Sequence, residues 1–151
     1  MKKFHTLVAT GVAAAALGVF AAPTAAFAAT SEVDQCGPPI GDGTCSNYVA
    51  ATITWYNRTA GIDGCVYDNF AGADFTGVVF EAYAGSTKID STTRSANDTV
   101  DDFGIRCFGF TIGDPDLVGG IDRIKVTVRR GFASGGYANG AWKNYQKKDA
   151  S

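Results

Sequence analysis

The chain has 151 residues, of which 46% are hydrophobic and 19% are charged, and its formal net charge is −2. Because nucleic-acid binding depends on concentrated positive charge, this acidic balance argues against a nucleic-acid partner. A chain of this length forms one domain.

The first 28 residues have the composition of a secretory signal peptide. Lys2 and Lys3 precede an apolar run over residues 7–20, and a small-residue pattern ends at Ala28. The run is shorter than the ~20 residues that span a bilayer, so we expect removal of residues 1–28 and no membrane anchor afterwards. The mature chain would keep 11 basic against 15 acidic residues, a net charge of −4. The style of this segment indicates a secreted, extracellular protein of a bacterium.

The four cysteines all follow the predicted signal peptide. An even number of cysteines in an exported chain favours disulfides over metal or redox sites. We prefer the pairs Cys36 with Cys45 and Cys65 with Cys107, because the segment between the first two is rich in turn residues. In the chain-entropy model, the short loop contributes ~2.7 kcal/mol and the long loop ~4 kcal/mol to stability.

Apolar and polar residues alternate with a period of two in residues 48–56, 77–84 and 121–130, which predicts half-buried strands. Residues 65–67 are a candidate short strand. The polar, Thr-rich stretch 88–95 is typical of an exposed edge strand. Sustained helical spacing is absent after the signal peptide, so the predicted class is all-β.

Residues 103–112 form the most apolar segment of the expected mature chain. Their apolar side chains occur in both phases, which is typical of a strand buried on both faces. We therefore predict a central strand, flanked by the strands at residues 77–84 and 121–130 and tied to Cys65 through Cys107.

The expected domain organisation is a single β-domain after the signal peptide. Residues 29–46 form an N-terminal segment with the small disulfide loop, and residues 47–131 form the core. Residues 132–151 are rich in Gly, Lys and aromatic residues and form either a hairpin turned at residues 139–140 or a flexible tail. The predicted fold is a small, disulfide-stapled, immunoglobulin-like β-sandwich, with a small β-barrel as the alternative.

Several kinds of catalysis are not expected. His5, the single histidine, leaves with the signal peptide, so a Ser-His-Asp triad, a Cys-His pair and a histidine zinc site are excluded. Bridged cysteines supply no thiolate. The two glutamates, Glu32 and Glu81, and aspartates that lie mostly in turns do not favour the opposed carboxylates of a glycosidase. We expect a protein that is not an enzyme and uses no cofactor.

Acidic residues cluster at two places, and carboxylate oxygens suit calcium. Neither an EF-hand pattern nor a Gly-Asp repeat surrounds them, so we interpret them as solvated loops and predict no metal site. The clusters are Asp98, Asp101 and Asp102, and Asp114 with Asp116.

A basic stripe is the first candidate binding feature. Arg123, Lys125 and Arg129 occupy one face of the predicted strand at residues 121–130. Such a stripe suits an acidic polymer, a phospholipid surface or an acidic partner. The interpretation we favour is a plain solvent face that pairs with a carboxylate such as Glu81 or Asp90 on a neighbouring strand.

Aromatic residues outside the predicted core phase are the second candidate feature. Flat rings supply contact area at low conformational entropy, which suits a sugar-binding or protein-binding surface. The candidates are Tyr56, Tyr137, Trp142 and Tyr145, with Arg58 beside the first.

The Trp-Tyr-Asn-Arg sequence of residues 55–58 and the following Gly64-Cys65 are similar to a segment of the small two-disulfide amylase inhibitors secreted by soil actinobacteria. The likeness covers about ten residues, and the residue order and cysteine spacing differ from the family pattern. It implies an inhibitor that presents a loop such as residues 57–64 on a rigid scaffold.

We therefore expect a secreted, non-enzymatic binding protein whose partner is an extracellular polysaccharide, envelope material or another protein. The alternative is a proteinaceous inhibitor of a secreted hydrolase.

Overall fold

A computed structural model describes residues 28–38, 45–69, 74–99 and 102–151. Residues 1–27 of the predicted signal peptide lie outside the described residues, as does the middle of the small disulfide loop. The described residues form eight strands: β1 Thr30–Cys36, β2 Asn47–Trp55, β3 Thr59–Asp68, β4 Phe75–Ala84, β5 Thr87–Ala96, β6 Ile105–Gly113, β7 Arg123–Gly131 and β8 Tyr137–Gln146. The described residues also contain two short 3-10 helices, Asp102–Gly104 and Lys147–Asp149.

The strands form two antiparallel four-stranded sheets, which confirms the predicted β-sandwich. Sheet one has the order β1-β2-β3-β6, and sheet two has the order β5-β4-β7-β8. In an immunoglobulin-like sandwich, strands B and E pair in one sheet and strands C and F in the other. In sheet one, β3 pairs with β6 as strand B pairs with strand E, and in sheet two, β4 pairs with β7 as strand C pairs with strand F. Strands β5 and β8 are the two edges of sheet two. In sheet one, β2 lies beside β3, and β1 is the edge strand beyond β2.

The core lies between the two sheets and is built from one phase of each strand. Val49 and Ile53 of β2 and Val126 of β7 are fully buried, as the period-two pattern predicts. Phe80 of β4 lies at the centre, with its ring centroid 5.6 Å from that of Phe108. Both inner faces are therefore apolar, and the alternate residues of each strand form the two outer faces.

The structure contains the preferred disulfide pairing. Cys36 bridges Cys45, and Cys65 bridges Cys107. Cys65 and Cys107 are direct register partners on β3 and β6, with a Cα–Cα distance of 3.9 Å. The second bridge therefore joins neighbouring strands on the outer face of sheet one. It does not connect the two sheets as the disulfide of antibody domains does.

The prediction of a central strand at residues 103–112 is wrong. Among the described strands β6 pairs with β3 alone and forms an edge of sheet one, whereas β4 and β7 pair with each other in sheet two. Phe108, Phe110 and Ile112 face the interior, and the other phase, which includes Ile105 and Cys107, is exposed. One phase of β6 is apolar because it faces the core, and the other contains Cys107 of the disulfide. The strand is therefore not buried on both faces.

Both ends of the described chain are ordered as strands. The first part of the N-terminal segment forms β1, and residues 137–146 form β8, so Asn139 and Gly140 lie inside a strand and do not turn a hairpin. The Gln35 amide crosses between the sheets and donates hydrogen bonds to the carbonyls of Val126 and Ala141. These bonds tie β1 of sheet one to β7 and β8 of sheet two.

Candidate binding face

Most of the candidate binding residues meet on the outer face of sheet two. The even-numbered residues of β7 from Ile124 to Val128 are buried, so its odd-numbered residues point outward. Their register partners on β4 and β8 point to the same side. We call this surface the basic-aromatic face, and it is formed by Glu81, Tyr83, Arg123, Lys125, Thr127, Arg129, Tyr137 and Trp142.

A bulge in β8 brings both aromatic rings to this face. Trp142 pairs with Thr127 and Asn139 pairs with Arg129, so three steps along β8 lie opposite two steps along β7. In a regular strand, Tyr137 and Trp142 would point to opposite sides, because their separation is odd. The extra residue shifts the phase by one and places both rings outward, which is a common effect of a bulge.

Gly140 is required at the bulge. A Cβ at this position would lie 2.8 Å from the carbonyl oxygen of Val128 and 2.9 Å from the backbone nitrogen of Pro38. The absence of a side chain lets the end of β1 approach β8 closely. The two rings on either side of the bulge are well exposed, Trp142 at 60% and Tyr137 at 52%.

Each outward cation of β7 lies near an aromatic ring. The guanidinium carbon of Arg129 is 3.8 Å from the ring centroid of Tyr137, and that of Arg123 is 4.2 Å from Tyr83. The Lys125 ammonium is 5.6 Å from the ring centroid of Trp142. Cation–π contacts of this kind contribute about 0.5–1 kcal/mol at exposed sites and fix the orientation of both partners.

Glu81 neutralises part of the positive charge, as the solvent-face interpretation predicts. Its carboxylate oxygens lie 3.1 Å from the Lys125 ammonium and 3.2 Å from the Lys88 ammonium. Burial raises the pKa of Glu81, but the hydrogen bonds and charges of the two lysines lower it by more, so the net shift is downward. Glu81 is therefore ionised at neutral pH.

A shallow depression of about 220 Å³ lies in the middle of the face, beside Trp142. Its lining residues are Val79, Glu81, Lys125, Thr127, Asn139, Gly140 and Trp142. The volume is below the ~300–1,000 Å³ of pockets that enclose a small ligand. The face therefore offers an open platform with one small recess.

Tyr145 lies in the core and not on the basic-aromatic face, which corrects the prediction that it is outside the core phase. It is 6% exposed and pairs with buried Ile124, on the side of β8 opposite to Trp142. Its hydroxyl has no hydrogen-bond partner among the described groups. Burial, together with the negative charge of Asp34, raises the pKa of this hydroxyl.

We expect Tyr145→Phe to be as stable as the parent or more stable by up to about 1 kcal/mol, because it removes an unsatisfied buried hydroxyl. The raised pKa contributes stability below the unfolded pKa of about 10, and this contribution is lost as the pH rises towards the folded pKa. The parent should therefore lose more stability than the variant above about pH 10. Denaturant unfolding at pH 7 and pH 11 measures both effects, and a destabilised variant at pH 7 contradicts this account.

Tyr56 and Arg58 lie away from the basic-aromatic face, in the tight turn between β2 and β3. The amide of Tyr56 donates to the carbonyl of Thr59 at 3.0 Å, and Arg58 donates to the carbonyl of Pro115 at 2.9 Å. Lys147 donates to the carbonyls of Tyr56 and Asn57 at 2.6 Å and 2.9 Å. These bonds assign the turn a structural role in joining segments distant in sequence.

A groove of about 770 Å³ lies next to the basic-aromatic face, at the N-terminal end of β7. Arg123 belongs to both, and the groove is lined by Gly85, Asp122, Arg123, Asn144, Gln146, Lys147 and Lys148. Arg123 donates to the Gly85 carbonyl at 3.1 Å and to the Asn144 side chain at 3.4 Å. Cations therefore extend from the middle of sheet two to this groove.

Tyr83 is a member of the face that was not selected from the sequence. The alternation of residues 77–84 places Tyr83 and Glu81 opposite the buried phase. Tyr83 meets Arg123 because β4 pairs with β7, and this pairing cannot be read from the sequence. The sequence pattern gives the phase of a strand but not the identity of its neighbour.

The acidic clusters do not assemble a metal site within the part of the chain that the structure describes. No group of three or more His, Cys, Asp or Glu residues comes together there. The Asp114 carboxylate accepts the Asp116 amide at 2.8 Å, which is a turn-stabilising bond. Asp101 lies outside the described residues.

The described residues include no helix with the length and apolar character needed to cross a membrane. Comparisons of the chain with protein-family models, curated proteins and solved structures found no match.

Proposed function

We propose that the protein is a secreted, non-enzymatic binding protein of a bacterium, and that the basic-aromatic face binds an extracellular polysaccharide. The observation that carries this proposal is the presence of two exposed rings, Trp142 and Tyr137, on one face of a rigid sheet. Sugar rings present C–H surfaces that stack on flat aromatic side chains. Aromatic rings that are already held on a rigid sheet lose little conformational entropy on binding.

The spacing of the rings suits a polymer. Their register partners, Thr127 and Gly131, are four residues apart on β7, which corresponds to ~13 Å along the strand. Asn139 lies between the two rings and supplies an amide that can donate to and accept from sugar hydroxyls. An open platform of this length matches a chain of sugars better than an isolated small molecule.

Secretion and the lack of enzyme activity are parts of the same proposal. The two disulfides are typical of proteins in an oxidising environment, which supports export. The lack of histidine after residue 28 supports a binding role, because the common acid-base and metal-dependent mechanisms use that residue.

Retention on insoluble polysaccharides tests the proposal. We expect a variant that combines Trp142→Ala and Tyr137→Ala to bind at least about tenfold more weakly than the parent, a loss of about 1.4 kcal/mol. Both side chains are exposed, so the thermal unfolding of this variant should remain close to that of the parent.

Tyr56→Ala is the matched control, because Tyr56 is an exposed ring that lies off the face. It should leave retention unchanged. Equal retention of the double variant and the parent, or equal losses in the double variant and the control, would contradict the proposal.

The inhibitor alternative finds no supporting observation, and we make no second proposal. The segment 57–64 was expected to present a loop, but Thr59–Asp68 is a strand and the remaining turn is bonded to Pro115 and Lys147. A protruding, conformationally independent loop is therefore lacking at this position.

A further inference from the structure

We infer that the ligand of the basic-aromatic face is an anionic glycopolymer, and that Arg129 anchors its carboxylate or phosphate groups. This inference rests on the proposed function and specifies the class of polymer. The cations of sheet two differ in whether they contact a carboxylate.

Arg129 is held in place without any hydrogen-bond acceptor. Its guanidinium stacks on Tyr137 at 3.8 Å, and the Tyr137 ring in turn meets the edge of Phe75 at a centroid distance of 5.8 Å. Its Nε is buried and has no partner, and no other acceptor for its guanidinium lies among the described groups. The N–H donors of this side chain are therefore unused.

Gly77 leaves room for the Arg129 side chain at this position. It is the register partner of Arg129 on β4, and a Cβ there would lie 3.1 Å from Nε and 3.2 Å from Cγ of the arginine. The missing side chain lets the arginine lie flat on the sheet, between Gly77 and the ring of Tyr137. A guanidinium that is oriented before the ligand arrives loses little conformational entropy on binding.

Three other cations of sheet two contact carboxylates within the protein. Lys125 and Lys88 share the Glu81 carboxylate, and Arg130 contacts Asp74 at 2.6 Å. The Ala133 amide and the Arg130 guanidinium hold the pKa of Asp74 below its ordinary value, so this pair is fully ionised at neutral pH. The contrast leaves Arg129 as a fixed positive charge with no carboxylate near it in the described part of the chain.

Arginine suits a carboxylate or a phosphate because its planar fork donates two parallel hydrogen bonds to either group. The Tyr137 ring covers one flat side of the Arg129 guanidinium, so a ligand would accept hydrogen bonds from the N–H groups in the guanidinium plane. An anion at Arg129 would lie between the two aromatic rings. A polymer that alternates or combines sugar rings and anionic groups matches this arrangement.

Arg123 provides a second positive charge without a carboxylate partner in the described residues. It lies six residues from Arg129 on β7, which corresponds to ~20 Å along the strand. The groove beside it includes Lys148, an exposed lysine. A polyanion of several repeat units could follow β7 from Tyr137 to this groove and meet both arginines.

The outer face of sheet one has the opposite charge. Glu32, Asp34 and Asp63 point outward there, and Thr52 donates to Glu32 at 3.0 Å. Together with the expected net charge of −4, this face repels polyanions. Binding of an anionic polymer would therefore depend on the local arrangement on sheet two and not on overall attraction.

Polygalacturonate and its fully methyl-esterified form are the first pair of probes, because they differ in charge and share their sugar. A purified wall teichoic acid is the second source of anionic groups and presents phosphate. We expect the full chain without its first 28 residues to bind at least one of the two anionic polymers, at least about tenfold more tightly than the esterified polymer. Sodium chloride should weaken this binding, since screening acts on exposed charges.

Arg129→Gln should reduce binding of the anionic polymer about tenfold and should leave thermal unfolding nearly unchanged. Arg106→Gln is the matched control, because Arg106 is an exposed arginine on β6 of sheet one. Arg129→Lys separates charge from geometry, and we expect it to recover less than the full affinity.

The outcomes distinguish this inference from the proposed function. Preference for the polygalacturonate identifies carboxylate as the recognised group, and preference for the teichoic acid identifies phosphate. Binding of a neutral polysaccharide that depends on Trp142, without binding of either anionic polymer, overturns the inference and retains the proposed function. Failure to bind any polysaccharide overturns both. Equal effects of Arg129→Gln and Arg106→Gln overturn the assignment of Arg129.

Discussion

Replacing both Cys65 and Cys107 with alanine is expected to lower the free energy of unfolding by about 4 kcal/mol. The bridge closes a loop of 42 residues in sequence separation, and its removal increases the entropy of the unfolded chain. It also frees β6, which among the described strands is held in sheet one by β3 alone. Both effects act in the same direction on stability.

Thermal unfolding measures this loss, and we expect the midpoint to fall by more than ~10 °C for a domain of this size. The matched control is the pair Cys36→Ala and Cys45→Ala, which opens a loop of nine residues and should cost about 2.7 kcal/mol. The basic-aromatic face lies on the other sheet, so polymer binding at a temperature well below the midpoint should persist. An unchanged midpoint together with lost binding would show that the bridge has a functional role instead.

Phe80→Ala is expected to destabilise the protein by about 3–5 kcal/mol. Phe80 is fully buried, and its ring lies 5.6 Å from Phe108 and 5.5 Å from Phe110 between ring centroids. Truncation removes the transfer free energy of the ring and leaves a cavity between the two sheets. The cavity would also deprive β6 of its main inward contacts.

Phe103→Ala is the control for this prediction, because the Phe103 side chain is 86% exposed. We expect it to change stability by no more than about 0.5 kcal/mol. Denaturant unfolding of both variants gives the comparison. Similar losses at the two positions would mean that the centre of the core has been assigned to the wrong residues.

The strands with a clean alternation were predictable from the sequence. The period of two in residues 48–56 and 121–130 reflects a physical requirement, because one side of each strand meets the core and the other meets solvent. The disulfide pairing was also predictable, because a short segment rich in Gly and Pro lets Cys36 and Cys45 approach each other. Both signals are local, and they are sufficient for an all-β, disulfide-bridged sandwich.

The role of residues 103–112 was not predictable from their composition. Apolar residues in both phases are typical of a central strand, but Phe108 and Phe110 pack inward at an edge of sheet one, while Cys107 lies outside. The position of a strand in its sheet depends on the connections that cross between sheets. In this fold β5 and β6 lie in different sheets, and no local pattern reports that crossing.

The binding face shows the same division between local and tertiary information. The sequence by itself determined that Arg123, Lys125 and Arg129 share one side of a strand, because side chains in a strand alternate. The tertiary structure decided which aromatic residues join them. A single extra residue in β8 turns Tyr137 and Trp142 to the same side and leaves Tyr145 in the core. The bulge is a property of backbone pairing between β7 and β8, and a one-residue shift in that pairing exchanges the two faces of the strand.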